Sequence, residues 1–270
     1  MTGRTTIKAL LLALAFTLFW VVVLAPASLV SRLLPVNAPL VLQGLSGTLW
    51  SATAAQAGLV QDGQVVVQGQ LTWRIRPLSL LRLAPCMDLT FVDSGMLSTA
   101  SGRVAGKVAG AACVSSGGEV ALHDVTFDLP AGVFLRSADL RLGGDISGLL
   151  QTLTWQSGRL TALEGQGLWS DAGIASNELN LALQTLPFDV RRASDDSIDV
   201  QMDNSDLLEQ QPDIPLQVAL QSTVALSGSF HTRAQLTLRS QAPGSLVDLL
   251  DVIAEPQGAG HYTLEVRSQP

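Results

Sequence analysis

The chain has 270 residues, 47% of them hydrophobic and 14% charged, with a formal net charge of −7. That composition is globular, and the length beyond the leading apolar segment suits one large all-β domain or two small ones. Past Arg32 there remain 13 basic against 23 acidic residues, a net of −10, which argues against general attraction to nucleic acid or to an anionic lipid surface.

Arg4 and Lys8 precede 23 uncharged residues, Ala9 to Ser31, and Arg32 closes the run. A helix rising about 1.5 Å per residue over that length spans a hydrocarbon core roughly 30 Å thick. The leading bases orient it with residues 1–8 in the cytoplasm, a transmembrane helix over 9–31 and the rest on the far side. Ala25-Pro26-Ala27 before Ser28 also has the form of a signal-peptide cleavage site. Apolar residues resume at Leu29, Val30, Leu33 and Leu34, and this favours a retained span; both readings export the remainder.

Pro35 and Pro39 suit a short extended linker over 32–40. From 41 to 270 the pattern has period two, the mark of strands with one buried face. Val65, Val67, Leu71, Trp73 and Ile75 share one parity, with Gly69 as a bend or bulge. The alternation recurs at Met87–Phe91, Val125–Leu129, Leu179–Leu183, Leu236–Leu238 and Tyr262–Val266. Turn signals separate the runs at Asp62-Gly63, Ser94-Gly95, Gly117-Gly118, Gly143-Gly144 and Ser157-Gly158. The expectation is an all-β, curved antiparallel sheet, either folded over or a sandwich. Short helices are expected at Pro77–Leu83 and Asn204–Gln210, and after Pro243-Gly244 until Pro256. Gly44 to Ser51 and Leu163 to Ser170 both end in Leu-Trp-Ser, an echo too short to establish a duplicated unit.

Cys86 and Cys113 are the only cysteines, and in an oxidising periplasm they are expected to pair. The bond closes a loop of about 26 residues, worth roughly 3 to 4 kcal/mol in the chain-entropy model.

Chemical motifs are scarce. His123, His231 and His261 stand apart, outside any zinc spacing. There is no nucleophile elbow, phosphate loop or dinucleotide fingerprint, and the glycine-spaced stretch Gly102 to Gly110 reads as a close-packed strand or hairpin. The acids from Asp195 to Asp206 lack the turn glycine and terminal Glu of a calcium loop, so a solvated loop is expected there. Asp88, Asp124 and Asp128 have neither nucleophile nor metal frame beside them. Trp50, Trp73, Trp155 and Trp169 read as core anchors. Arg74 and Arg76 share a strand face and form the candidate partner-binding pair.

The segment Leu42 to Ala52, with Gly44, Gly47, Leu49, Trp50 and Ser51, is followed by Leu71-Thr72-Trp73-Arg74-Ile75-Arg76-Pro77-Leu78-Ser79. Together with the single N-terminal span, these residues resemble protein N of the bacterial type II secretion system, specifically over Pro35 to Leu83 and generally beyond. The resemblance implies a non-enzymatic accessory part of a secretion machine, without cofactors, partnered by inner-membrane components of that machine. The glycine-punctuated, aromatic-poor strands behind one anchor are also similar to periplasmic lipid-transfer proteins. That likeness implies an open sheet groove carrying lipid as the alternative.

Overall fold

A computed structural model describes residues 3–33, 40–61, 64–80, 83–93, 98–99, 102–103, 106–133, 141–175, 180–210, 214–239, 242 and 244–268. The turns at Asp62-Gly63 and Ser94-Gly95, the linker prolines Pro35 and Pro39, Leu179, and Val104-Ala105 lie outside the described residues.

The chain opens with helix α1 (Gly3–Val23) and a short α2 (Ser28–Leu33). The uncharged run is therefore not one helix to Ser31. Pro26 has no N–H to continue it, and its neighbours bond elsewhere: Leu49 N donates to Ala25 O at 2.8 Å and Ala27 N donates to Gly47 O at 3.1 Å. In α1 the side chains of Leu10 and of Leu12 to Val23 are described, and among the described residues no helix is long and apolar enough to cross a membrane.

Strands follow as β1 (Leu40–Gly47), β2 (Ser51–Gln61), β3 (Gln64–Arg76), β4 (Cys86–Asp93), β5 (Ser98–Thr99), β6 (Gly102–Arg103), β7 (Lys107–Val114) and β8 (Val120–Pro130). Helix α3 (Pro77–Leu80) sits between β3 and β4. The second half contains β9 (Arg141–Gln156), β10 (Arg159–Ala175), β11 (Asn180–Arg192), β12 (Ser197–Asp203), α4 (Ser205–Gln210), β13 (Leu216–Ala225), β14 (Phe230–Leu238), α5 (Gly244–Ile253), β15 (Glu255–Gly258) and β16 (His261–Ser268).

Among the described residues fourteen strands form a single sheet in the order β1-β2-β3-β4-β7-β8-β9-β10-β11-β12-β13-β14-β16-β15, and β5-β6 is a separate hairpin. Among the described residues the strands pair antiparallel with near neighbours in the chain. At the usual strand spacing the sheet extends about 60 Å across its strands. The sandwich expectation is corrected: the apolar face packs against helices instead of a second sheet. The acidic stretch is corrected too, since Ser197–Asp203 is strand β12 within the sheet and not a solvated loop.

Paired residues on antiparallel strands point to the same face, so register alone traces one continuous apolar row. It runs Leu45, Ala54, Leu71, Phe91, Val108, Phe127, Gly148, Gly167, Phe188, Met202, Leu220, Ala234, Leu264, and crosses every strand of the sheet except β15. One residue along, the facing row is Thr53, Thr72, Thr90, Ala109, Thr126, Leu149, Gln166, Asp189, Gln201, Gln221, Arg233 and Glu265. The period-two pattern is thus kept in phase across the whole width, with one face greasy and the other wet.

Two helices cover the ends of the apolar face. At one end Ala27 and Val30, in and just before α2, pack on Ala52, Ala54, Ala57 and Trp73. At the other, Leu246 and Leu250 of α5, with Ala254 beyond it, pack on Trp169, Leu186, Val218, Leu236 and Tyr262. The spacing of 246, 250 and 254 places these groups on one helical stripe. Trp73 and Trp169 are buried as expected of core anchors, and each donates its indole N–H to a backbone carbonyl, Leu49 at 3.1 Å and Gly143 at 2.9 Å. Trp50 differs: it lies in the β1–β2 turn and donates to Val22 O of α1 at 2.9 Å. The two Leu-Trp-Ser copies therefore stand in unlike places, one spanning a turn and one inside β10.

Candidate functional site

Between the two covered ends, β7, β8 and β9 present Val108, Leu122, Val125, Phe127, Leu150 and Leu153, all half-buried and part of neither packed cluster. This middle section is the candidate docking face. Its floor is set by Gly148 and Gly167, opposite each other in the row. A Cβ at Gly167 would sit 2.5 Å from both the Phe188 ring and the Ser147 carbonyl, and one at Gly148 would sit 2.6 Å from Phe127. The glycines therefore let both rings lie down on the backbone, and the rings stack with centroids 6.5 Å apart.

Asp93 ends β4 in phase with Leu89 and Phe91, so its carboxylate belongs to the apolar face. It is 4% exposed, and among the described residues neither oxygen has a hydrogen-bond partner. A carboxylate in such a place is costly and calls for a use. The sequence carried the signal, an acid in phase with the hydrophobic set, and motif reading passed over it.

On the other face Arg76 is committed. Its Nη2 and Nε donate to the two carboxylate oxygens of Asp88 at 2.5 and 3.2 Å, and that hydrogen bond raises the guanidinium pKa above its ordinary value. Arg74 lies directly opposite Asp88 in register and is exposed, with no ion pair among the described residues. Both arginines line a cavity of about 590 Å³ with Pro77, Leu78, Ala84 and Cys86. The turn below it is clipped by one hydroxyl: Ser79 Oγ donates to Arg76 O at 2.6 Å and accepts from Cys86 N at 2.8 Å. Cys86 and Cys113 face each other across β4 and β7 and are bonded, with Cα atoms 4.0 Å apart.

Asp88, Asp124 and Asp128 are not joined to one another by any hydrogen bond or ion pair among the described residues. Asp88 is held by Arg76, Asp128 stands opposite Lys107, and Asp124 sits at a left-handed position in β8. The histidines are likewise scattered: His231 meets Glu265 and His261 meets Thr237. Among the described residues there is no group of three or more metal-ligating side chains.

Glu265 is the most perturbed carboxyl on the polar face. Hydrogen bonds from Arg267 and His231, aided by the charges of Arg267 and Arg233, lower its pKa from 4.5 to about 2. A depressed carboxyl stabilises the fold above its unfolded pKa and loses that contribution as pH falls from 4.5 toward 2. The group is exposed, so the contribution is small. Arg267→Ala should return the Glu265 titration toward the ordinary carboxylate range in a carbon-detected NMR pH series. An unmoved midpoint would show that the pair does not form in solution.

Comparison with known proteins bears on this arrangement. The family model described as Type II secretion system (T2SS), protein N, matches residues 38–265. A curated relative, Type II secretion system protein N of Aeromonas hydrophila, is 33% identical over 138 residues, covering 50% of this chain and 49% of the relative. The match thus spans about half the length of that relative. No solved structure matches. With the family model covering β1 through most of β16, the chain belongs to the type II secretion system protein N family.

Proposed function

We propose that this protein is an accessory component of the type II secretion machinery, held in the inner membrane by α1, with its sheet in the periplasm docking machinery partners. The anchor reading rests on the uncharged run from Ala9 to Ser31 and on the described side chains of α1, where Leu12, Phe16, Phe19 and Val21 are all exposed. Exposed apolar surface of that extent needs a covering medium. Orientation rests on Arg4 and Lys8.

One observation carries the docking role: the apolar row is packed under α2 and α5, but between them Val108 and Phe127 are only half-buried. Partners of this face are inner-membrane components of the machine. Lipid carriage is the second reading, favoured by the same apolar, glycine-floored surface around Phe127 and Phe188. A photoreactive residue replacing Phe127 in the full-length, membrane-borne chain separates the two. Docking predicts an ultraviolet-dependent adduct with another secretion component, absent when the residue replaces Thr126 on the polar face. Adducts to phospholipid alone would transfer the assignment to lipid carriage, and no adduct from position 127 would remove both.

A further inference from the structure

We infer that the turn between β3 and β4 is a membrane-surface contact, in which Leu78 and Leu83 enter the headgroup boundary and Arg74 takes the phosphate of an anionic phospholipid. The inference rests on the reading of α1 as an anchor and adds a second, lateral attachment to it.

Position is the first argument. The end of α1, the β1–β2 turn and the last residues of β3 form one hydrogen-bonded block. Trp50 Nε1 donates to Val22 O at 2.9 Å, Leu49 N to Ala25 O at 2.8 Å, and Ile75 N to Trp50 O at 2.7 Å. Two residues beyond Ile75 the turn begins with Pro77. A helix leaving this block into lipid therefore holds the turn beside the bilayer surface, with only β2 between β1 and β3.

The second argument is what the turn presents. Leu78 is 76% exposed and Leu83 is 74% exposed, with Leu80 partly exposed between them. Leu83 has φ of 55°, a left-handed backbone that strains a leucine and would suit glycine. A large apolar residue kept in a strained, exposed position adds nothing to the core, whereas at a lipid boundary it supplies buried area. Ser79 Oγ bridges Arg76 O and Cys86 N, so the two ends of the turn are already held together before contact.

Charge is the third. The domain is acidic overall, but Arg74 and Arg76 line the 590 Å³ cavity beside Pro77, Leu78 and Ala84. Asp88 neutralises Arg76 and leaves Arg74 over. A cation above apolar walls matches a headgroup phosphate above its acyl chains. Attraction of this kind is local and falls within about 10 Å at moderate salt, so the net charge of the rest does not cancel it.

The test uses the full chain with its disulfide intact, carrying one added cysteine by Leu78→Cys, Leu83→Cys, Leu14→Cys or Val252→Cys and an environment-sensitive fluorophore. Each protein is reconstituted in nanodiscs of phosphatidylcholine, with or without phosphatidylglycerol, and with lipid-borne quenchers at headgroup or mid-bilayer depth. The inference predicts blue-shifted emission and headgroup-level quenching at positions 78 and 83, stronger with phosphatidylglycerol, and neither effect at 252. Arg74→Gln should remove the phosphatidylglycerol dependence and keep the fold. Positions 78 and 83 behaving like 252 would overturn it. Protection of the turn only in native membranes holding other secretion components would also overturn it, in favour of a protein contact. Position 14 reports the anchor separately: mid-bilayer quenching there with a wet turn defeats this inference alone, and a wet position 14 defeats the anchor.

Discussion

Asn204→Asp should destabilise the protein by about 3 to 5 kcal/mol at neutral pH, more than a surface substitution of the same size could. Asn204 is fully buried and is one of two buried polar side chains among the described residues. Its Nδ2 donates to Leu216 O at 3.1 Å and its Oδ1 accepts from Val218 N at 2.8 Å. Its own backbone N–H donates to Val218 O, and its carbonyl accepts from Leu207 and Leu208 at the start of α4. The side chain thus closes the end of β12 onto β13, while the backbone carbonyl of the same residue starts the next helix. A carboxylate can keep the bond from Val218 but places a buried charge against the Leu216 carbonyl. The penalty should shrink on acidification, because the neutral acid can donate to that carbonyl, and Asn204→Ala should show no such pH dependence. Urea denaturation at neutral and mildly acidic pH checks both, and equal loss at the two pH values for the aspartate would contradict the assignment.

Opening the Cys86–Cys113 bond should cost roughly 3 to 4 kcal/mol in the chain-entropy model. The separation of 27 residues sets that size, since the linkage removes loop freedom from the unfolded chain. The bond also ties β4 to β7 across the stretch that contains the β5–β6 hairpin, beside the half-buried middle of the apolar face. Cys86→Ser with Cys113→Ser should therefore lower the urea midpoint and raise hydrogen exchange in β4 and β7 before the α5 end responds. A midpoint within error of the oxidised protein would mean that the linkage adds no stability.

Much of the sheet was legible because its signal is local. Leu71, Trp73 and Ile75 alternate with Thr72, Arg74 and Arg76, and this fixes which residues share a face whatever the strand pairs with. The helix after Pro243-Gly244 was legible from its bounds, though its packed stripe runs through Leu246 and Leu250 and leaves Ile253 exposed. What covers an apolar face is not local. The choice between a second sheet and two helices depends on whether Leu250 reaches Val218 and Leu236, contacts that no periodicity records. Trp50 illustrates the same limit: beside Leu49 it reads as core, yet its indole serves a carbonyl 28 residues earlier. The Arg74 and Arg76 pair was visible as a shared face, but the inequality between them comes from Asp88 on the next strand.

Everything proposed for the face and for the β3–β4 turn presumes that α1 stays in the inner bilayer and the sheet lies beyond it. A carboxy-terminal alkaline phosphatase fusion to the full chain, followed through carbonate extraction, reads both points at once. Active phosphatase that remains with the inner-membrane pellet is the expected result. Inactive fusion protein, or active protein released by carbonate, would contradict it.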